Sequence, residues 1–362
     1  MRVLHVIARL NVGGTARYIT QLANELPKHG IETLVATGYV QGAEVEDPSA
    51  SNIKLVRIKA LGRAINPIKD HLAHRQLQRI IKEFKPDIIH SHTFKAGFIV
   101  RARKQAVPVI HTFHGHLLDD PEFSGFKARV ITAIEKRLAK KTSKLVSVGQ
   151  RVADELVELN VGVKEQYVNI APGVKELSIT PRTEALKNLN LSDDGRLIIG
   201  WIARVTGVKN PMRALDVARA IPSAHFVMAG GGDLLAEVKE AAPSNVSVIG
   251  WAKAQDLFGV ADLILSTSEN EGMPIALIEA QLAGKPVVAT DVGGVSEVIA
   301  NHETGLVTNK NAGSIAAALN SLILDTQKRT QMSTFATSRA RALFSIDQMV
   351  NAHVRLYNSI VN

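Results

Sequence analysis

The feature that most constrains the fold is an alternation that runs through the chain twice. Short runs rich in Val, Ile and Leu recur at 2–8, 31–37, 53–58, 87–91, 108–113 and 144–148, and amphipathic stretches such as 15–28 and 70–84 lie between most of them. The pattern restarts at Arg196-Leu197-Ile198-Ile199-Gly200-Trp201-Ile202 and continues near 224–229, 245–249, 262–266 and 286–290. Continuous apolar strands separated by helices predict parallel sheets covered on both faces. Two such series predict an α/β chain of two doubly wound domains, and 362 residues suit two domains better than one. The boundary is expected near 172–195, where Pro172-Gly173 and Ser192-Asp193-Asp194-Gly195 punctuate polar, loop-like sequence. The domains are therefore set at 1–175 and 176–345. Ligands bind beyond the carboxyl ends of strands in such sheets, and two facing edges would make one interdomain cleft.

Charge is uneven. Residues 1–175 carry 27 Lys and Arg against 16 Asp and Glu, so the whole net charge of +9 comes from the first half. That suits an anionic membrane surface or an acidic or phosphorylated acceptor, with a solvated basic surface as the plain alternative. Nucleic acid is not expected: aromatics are 4%, and no nucleic-acid-binding motif is present. Apolar runs are strand-sized, and Met1 to Ile7 reads as a first strand rather than a signal peptide. The lack of cysteine removes disulfides, thiolate catalysis and Cys-ligated zinc, and fits a cytosolic protein.

The most informative segment is Ser268 to Ala280. It follows the apolar run 263–266 and opens a helix with Pro274 early in the first turn. Gly272 permits close backbone approach, and a helix start seats an anion. Glu271 lies in the loop and Glu279 eight positions on, within an apolar stretch. Phosphate at the helix start with acids for sugar hydroxyls is what a nucleotide sugar requires. Arg204 and Lys209 follow the first strand of the second half, beside Asn210-Pro211, and together neutralise a diphosphate or remain two surface cations. Ala229-Gly230-Gly231-Gly232-Asp233 lacks the GxGxxG order of a dinucleotide fingerprint and reads as a plain strand-to-helix turn. Gly13-Gly14 is an anion seat or a structural turn. His111-Thr112-Phe113-His114-Gly115-His116 ends a strand, with His90 and His92 nearby in sequence, but no zincin spacing occurs. Strand alternation gives no reason for these rings to converge; no metal is expected, and His114 is the histidine assigned to the cleft. No Gly-x-Ser-x-Gly elbow or P-loop is present.

Together these motifs resemble the retaining GT-B glycosyltransferases of the family 4 type (glycosyl transferases group 1). The resemblance spans nearly the whole chain: Gly13-Gly14, the histidine strand at 111–116, Arg204 and Lys209, the E-x7-E segment from Glu271 to Glu279, and the run Gly284 to Glu297 in register after it. It implies a GT-B fold, with the first domain on the acceptor side, the second binding the donor, and the helix at about 346–362 packing back on the first. By the same resemblance, Arg204 and Lys209 bind the donor diphosphate and Glu279 binds the ribose. Glu271 contacts donor-sugar hydroxyls, His114 lies near the donor sugar, and Gly272, Met273, Pro274 and Ile275 offer backbone amides to phosphate and sugar. Gly13 and Gly14 lie near the diphosphate and acceptor, and Gly231 stands in the donor-site turn. Ala203 replaces the usual Gly before the arginine, Gly231-Gly232-Asp233 the usual Gly-Asp-Gly, and Met273 the usual Phe.

The activity so implied is metal-independent transfer with retention. The donor is a nucleotide-diphosphate sugar, expected to be UDP-linked, with no separate cofactor. The acceptor is a sugar, a phosphorylated compound or a lipid-linked, cell-envelope or polysaccharide chain, met in the cytoplasm or at the inner face of the membrane. The alternatives are a GT-B nucleotide-sugar epimerase and a non-catalytic nucleotide-sugar-binding protein, which turnover would distinguish.

Overall fold

The computed structural model describes residues 1–42, 44–62, 64–115 and 125–361. They divide into two α/β units, the first from residues 1–115, 125–173 and 346–361 and the second from 174–345. The first unit holds a sheet of β1 (Arg2–Ile7), β2 (Glu32–Thr37), β3 (Leu55–Arg57), β4 (Ile88–His92), β5 (Val109–Phe113), β6 (Lys144–Ser147) and β7 (Tyr167–Asn169), in the order β3-β2-β1-β4-β5-β6-β7. Its helices are α1 (Gly14–Glu25), α2 (Pro67–Phe84), α3 (Thr93–Arg101), α4 (Phe126–Ala139) and α5 (Gln150–Glu158). The second unit has β8 (Ile198–Ile202), β9 (His225–Ala229), β10 (Val246–Gly250), β11 (Leu263–Ser266), β12 (Val287–Thr290) and β13 (Gly305–Thr308), in the order β10-β9-β8-β11-β12-β13. Its helices are α6 (Arg182–Asn188), α7 (Pro211–Ala220), α8 (Leu235–Ala241), α9 (Ala254–Val260), α10 (Ile275–Leu282), α11 (Val295–Val298), α12 (Ala312–Leu324) and α13 (Thr326–Leu343). The last helix, α14 (Ile346–Val361), belongs to the first unit and packs on α1.

Every strand pairing is parallel, so the sheets are covered on both faces, and β1, β4, β5, β8 and β11 are buried nearly throughout. Helix ends follow local chemistry. In α2, Pro67 takes the first position, Asn66 Oδ1 accepts the Lys69 N–H at 3.0 Å, and Lys85 closes the helix in the left-handed region. Ala73, Leu77 and Ile80 then face the core.

Three departures from the sequence reading have physical causes. The edge strands β7 and β13 were not expected: they are three and four residues long and only partly buried, which leaves little hydrophobic pattern. The segment expected to be loop at 172–195 contains α6, anchored by Ala185 and Leu186 against Leu257 and Val260. Pro274 precedes α10 rather than opening its first turn, because its ψ of 99° keeps it extended.

The first unit also buries an ion pair. Arg101 Nη2 donates to Glu135 Oε1 at 2.9 Å, while Arg101 Nη1 and Glu135 Oε2 have no hydrogen-bond partner among the described residues. Glu135→Ala leaves a guanidinium uncompensated in the core and is expected to cost about 3–5 kcal/mol, whereas Arg101→Met with Glu135→Leu is expected to be near neutral. Denaturant midpoints of the two variants check this.

Candidate active site

In the second unit the candidate residues gather at the carboxyl edge of neighbouring strands β8 and β11. After β8 the chain passes through exposed Arg204 and a single turn at Gly207–Lys209. Asn210 follows at φ 44°, and its Oδ1 caps α7 by accepting the Arg213 N–H at 3.0 Å. The loop after β11 is tied to this one at several points. Thr267 Oγ1 donates to the carbonyls of Lys209 and Asn210 at 3.0 and 2.9 Å, and the Glu269 N–H donates to the Val208 carbonyl at 2.8 Å. Glu269 also accepts from Asn210 at 2.7 Å, from Arg213, and from Lys310 at 3.0 Å. Burial raises the Glu269 pKa, but hydrogen bonds from Asn210, Lys310 and Arg213 outweigh it and hold the carboxyl below its ordinary range.

This clasp brings Lys209 and Glu271 together. Lys209 Nζ donates to Glu271 Oε1 at 2.5 Å, and Ser268 Oγ donates to the same oxygen at 2.7 Å. Gly272, Met273, Pro274 and Ile275 lead into α10, whose start has no side-chain cap, so its first amide groups lack an intrahelical partner. Glu279 lies one turn inside α10 and is 6% exposed. Gly293 and Gly294 support the loop from behind. Gly293 has φ 46°, and a Cβ there would lie 1.6 Å from the Glu271 carbonyl oxygen; at Gly294 it would lie 2.2 Å from that of Gly272. The Gly294 N–H donates to the Gly272 carbonyl at 3.0 Å.

The glycine triplet does more than turn the chain. A Cβ at Gly230 or Gly232 would lie 1.8 Å from the Ala203 carbonyl oxygen or 2.3 Å from that of Val205, so only glycine lets this turn press against the loop carrying Arg204. The Val205 N–H donates to the Gly231 carbonyl at 3.0 Å, and the Trp251 indole, 62% exposed, covers Gly231.

In the first unit Gly13, at φ 152°, precedes α1, which Gly14 begins without a side-chain cap. The histidines sort by strand parity. His111 faces Ser91 and α3, while His90, His92 and His114 share the opposite face with His5 of β1. On that face Tyr18 of α1 and His353 and Tyr357 of α14 close over the rings. Convergence was not expected from the sequence, where His5, Tyr18 and His353 carried no signal; it follows from the pairing of β1, β4 and β5. His116 lies outside the described residues. Ring nitrogens of His5, His90 and His92 lie within 4.8 Å of one another, but His90 is engaged at both, with Tyr357 at 2.7 Å and Thr112 at 2.6 Å. Among the described residues no helix is long and apolar enough to cross a membrane.

Two doubly wound α/β units make a GT-B fold, and the second carries two cations, an uncapped helix start and a buried acid near one strand edge. The family models agree: Glycosyltransferase Family 4 matches residues 12–175 and Glycosyl transferases group 1 matches residues 182–339. The chain belongs to the family 4 type of GT-B glycosyltransferases. Among its relatives is the Escherichia coli UDP-Gal:alpha-D-GlcNAc-diphosphoundecaprenol alpha-1,3-galactosyltransferase, 24% identical over 89% of this chain and 87% of that protein. A D-inositol 3-phosphate glycosyltransferase of Pseudarthrobacter chlorophenolicus is 26% identical over 91% of this chain and 87% of its own length. The Anabaena HepE structure, solved with UDP and glucose, shares the fold at TM-score 0.83 and 18% identity, covering 99% of this chain and 100% of its own.

Proposed function

We propose that this glycosyltransferase moves a sugar from a UDP-linked donor to a lipid-linked, phosphorylated or polysaccharide acceptor of the cell envelope, with retention at the anomeric carbon and without a metal. The observation that carries the proposal is the cationic edge of the second unit: Arg204 is exposed, Lys209 is held on Glu271, and the start of α10 is uncapped. A departing diphosphate is stabilised where fixed positive charge is already aimed at it, and the helix start adds a partial charge of the same sign. Lys209 would exchange the Glu271 carboxylate for phosphate oxygen. The released Glu271, still hydrogen-bonded by Ser268, would accept from donor-sugar hydroxyls as an orienting group rather than a covalent nucleophile, and Glu279 would hold the ribose. The UDP preference is supported by the UDP-Gal donor of the E. coli relative and by the UDP bound in HepE. Proton NMR of product formed from UDP-sugars in EDTA tests the mechanism. Turnover with the donor's anomeric configuration kept supports it; inversion, or turnover only on adding a divalent ion, refutes it.

A lipid-linked acceptor calls for membrane contact, and α2 offers a surface for it. Ile65, Ile68 and Leu72 are 62%, 75% and 45% exposed, and Arg75, Arg79 and Lys82 extend the Ile68–Leu72 stripe along the helix, opposite Ala73, Leu77 and Ile80. An apolar edge with basic residues is the chemistry of anionic lipid surfaces. Vesicles rich in phosphatidylglycerol are expected to pull down the wild type at low salt and to retain at least tenfold less Ile68→Glu. Equal binding of both proteins would remove this surface from the account.

A further inference from the structure

The histidines around β1, β4 and β5 form a directed chain. His5 Nδ1 lies 3.1 Å from His92 Nε2, and His92 Nδ1 lies 3.2 Å from His114 Nε2. The inner end stops at His5 Nε2, a buried atom with no partner among the described residues. The outer end is His114 Nδ1, which makes no hydrogen bond to any described residue; His114 is half-buried as a residue, whereas His5 and His92 are fully buried.

Three rings in such a chain have two orders of protons when all are neutral. In one, His114 donates to His92, His92 donates to His5, and the last proton sits on His5 Nε2. In the other, His5 donates through Nδ1 to His92, His92 donates through Nδ1 to His114, and the last proton sits on His114 Nδ1. The first buries an N–H with no acceptor. The second leaves only an unused lone pair in the interior and places its N–H on His114, the one residue of the three that is not fully buried. Orphaned buried N–H groups are the rarer and costlier of the two.

The neutral state is imposed by the surroundings. The titratable groups bearing on the chain are His90 from β4, His111 from β5, Tyr18 from α1 and His353 from α14, with Tyr357 of α14 reaching it through His90. Burial lowers His5 and His114 to about 3, with His353 adding to both, and lowers His92 well below its ordinary value. Tyr18 meets His114 edge-on at 4.9 Å and 87°, and His90 lies 4.2 Å from His92, so the rings are fixed by packing as well.

We infer that His5 and His92 are positioning residues that fix the tautomer of His114, so that its Nδ1 presents an N–H to an oxygen of the bound substrate. His114 on this account is a hydrogen-bond donor, not a base. Naming that oxygen as one of the donor sugar rests on the proposed transfer activity; the tautomer does not.

The test is a long-range proton–nitrogen NMR spectrum of the full chain labelled with 15N-histidine, at about pH 7.5, with His114→Gln used for assignment. In the wild type, His114 Nδ1 is expected to be protonated and Nε2 not. His5→Leu removes the inner donor, so His114 should divide between tautomers, and kcat/KM for the sugar donor should fall roughly tenfold, the worth of one hydrogen bond. His5→Asn restores an N–H near the place of Nδ1 and should restore both readouts. A wild-type proton on Nε2 overturns the inference, as does an unchanged His114 signal in His5→Leu. One divalent ion per chain bound between His5 and His92, seen by elemental analysis, also overturns it. Should a variant fail to fold, the wild-type spectrum still decides. An Nδ1 proton in a protein that turns over no sugar donor would sustain the relay and sink only the transfer reading.

Discussion

Lowering the pH from about 7 to about 5 is expected to unfold the first unit and leave the second folded. His5, His90, His92, His111 and His353 are completely buried. Burial holds His5 near 3 and His353 near 4, and keeps His90, His92 and His111 well below the ordinary value of 6.5. Below about pH 6.5 the unfolded chain takes up a proton at each of these sites and the folded chain does not, so acid favours unfolding. The stability is fully present above that pH and is lost as the pH falls toward the folded values. Each such histidine costs about 1.4 kcal/mol per pH unit, and five cost about 7 kcal/mol per unit, against a typical domain stability of about 5–15 kcal/mol. The second unit has two histidines, His225 and His302, against the five buried ones of the first; His225 is lowered, chiefly by burial. The two units report separately: all four tyrosines, Tyr18, Tyr39, Tyr167 and Tyr357, lie in the first, and Trp201 and Trp251 in the second. Near-ultraviolet tyrosine dichroism should be lost between about pH 6 and 5 while tryptophan fluorescence persists. Coincident loss of both signals, or a folded first unit at about pH 4.5, would contradict this account.

Removing a donor-side cation should be as consequential for rate. Arg204→Ala and Lys209→Ala are each expected to lower kcat by about 10²–10³, or roughly 2.7–4 kcal/mol, the usual loss when one stabilising group is taken from developing charge. The two should differ in stability. Arg204 is exposed, and its removal should leave the melting temperature unchanged. Lys209 is largely buried on Glu271, so its removal leaves a carboxylate held by Ser268 without its cation and should also lower the melting temperature. Thermal melts beside steady-state kinetics separate the effects. Wild-type kcat in Arg204→Ala would remove that residue from the mechanism.

How much of this was legible in the sequence depended on how local the signal was. Fully buried parallel strands announce themselves by composition, so β1, β4, β5, β8 and β11 were visible, while β7 and β13, short and half exposed, were not. The Glu271–Glu279 segment was legible because loop, helix start and acid are contiguous. The clasp of Arg213, Glu269 and Lys310 that holds this loop is assembled from separate elements and left no spacing to read. The glycine triplet at 230–232 looked like an ordinary turn; its close approach to Ala203 and Val205 exists only in three dimensions. The histidine chain was hidden for the same reason: His5 and His92 are remote in sequence and become neighbours through strand order.

The claim that the second unit seats a nucleotide diphosphate is tested most directly by calorimetric titration of UDP, GDP and ADP, in EDTA, into the wild type and Glu279→Ala. UDP is expected to bind, and the mutation to weaken it by about 1–3 kcal/mol, the cost of a lost hydrogen bond to a charged group. A folded wild type that binds none of the three would contradict that claim.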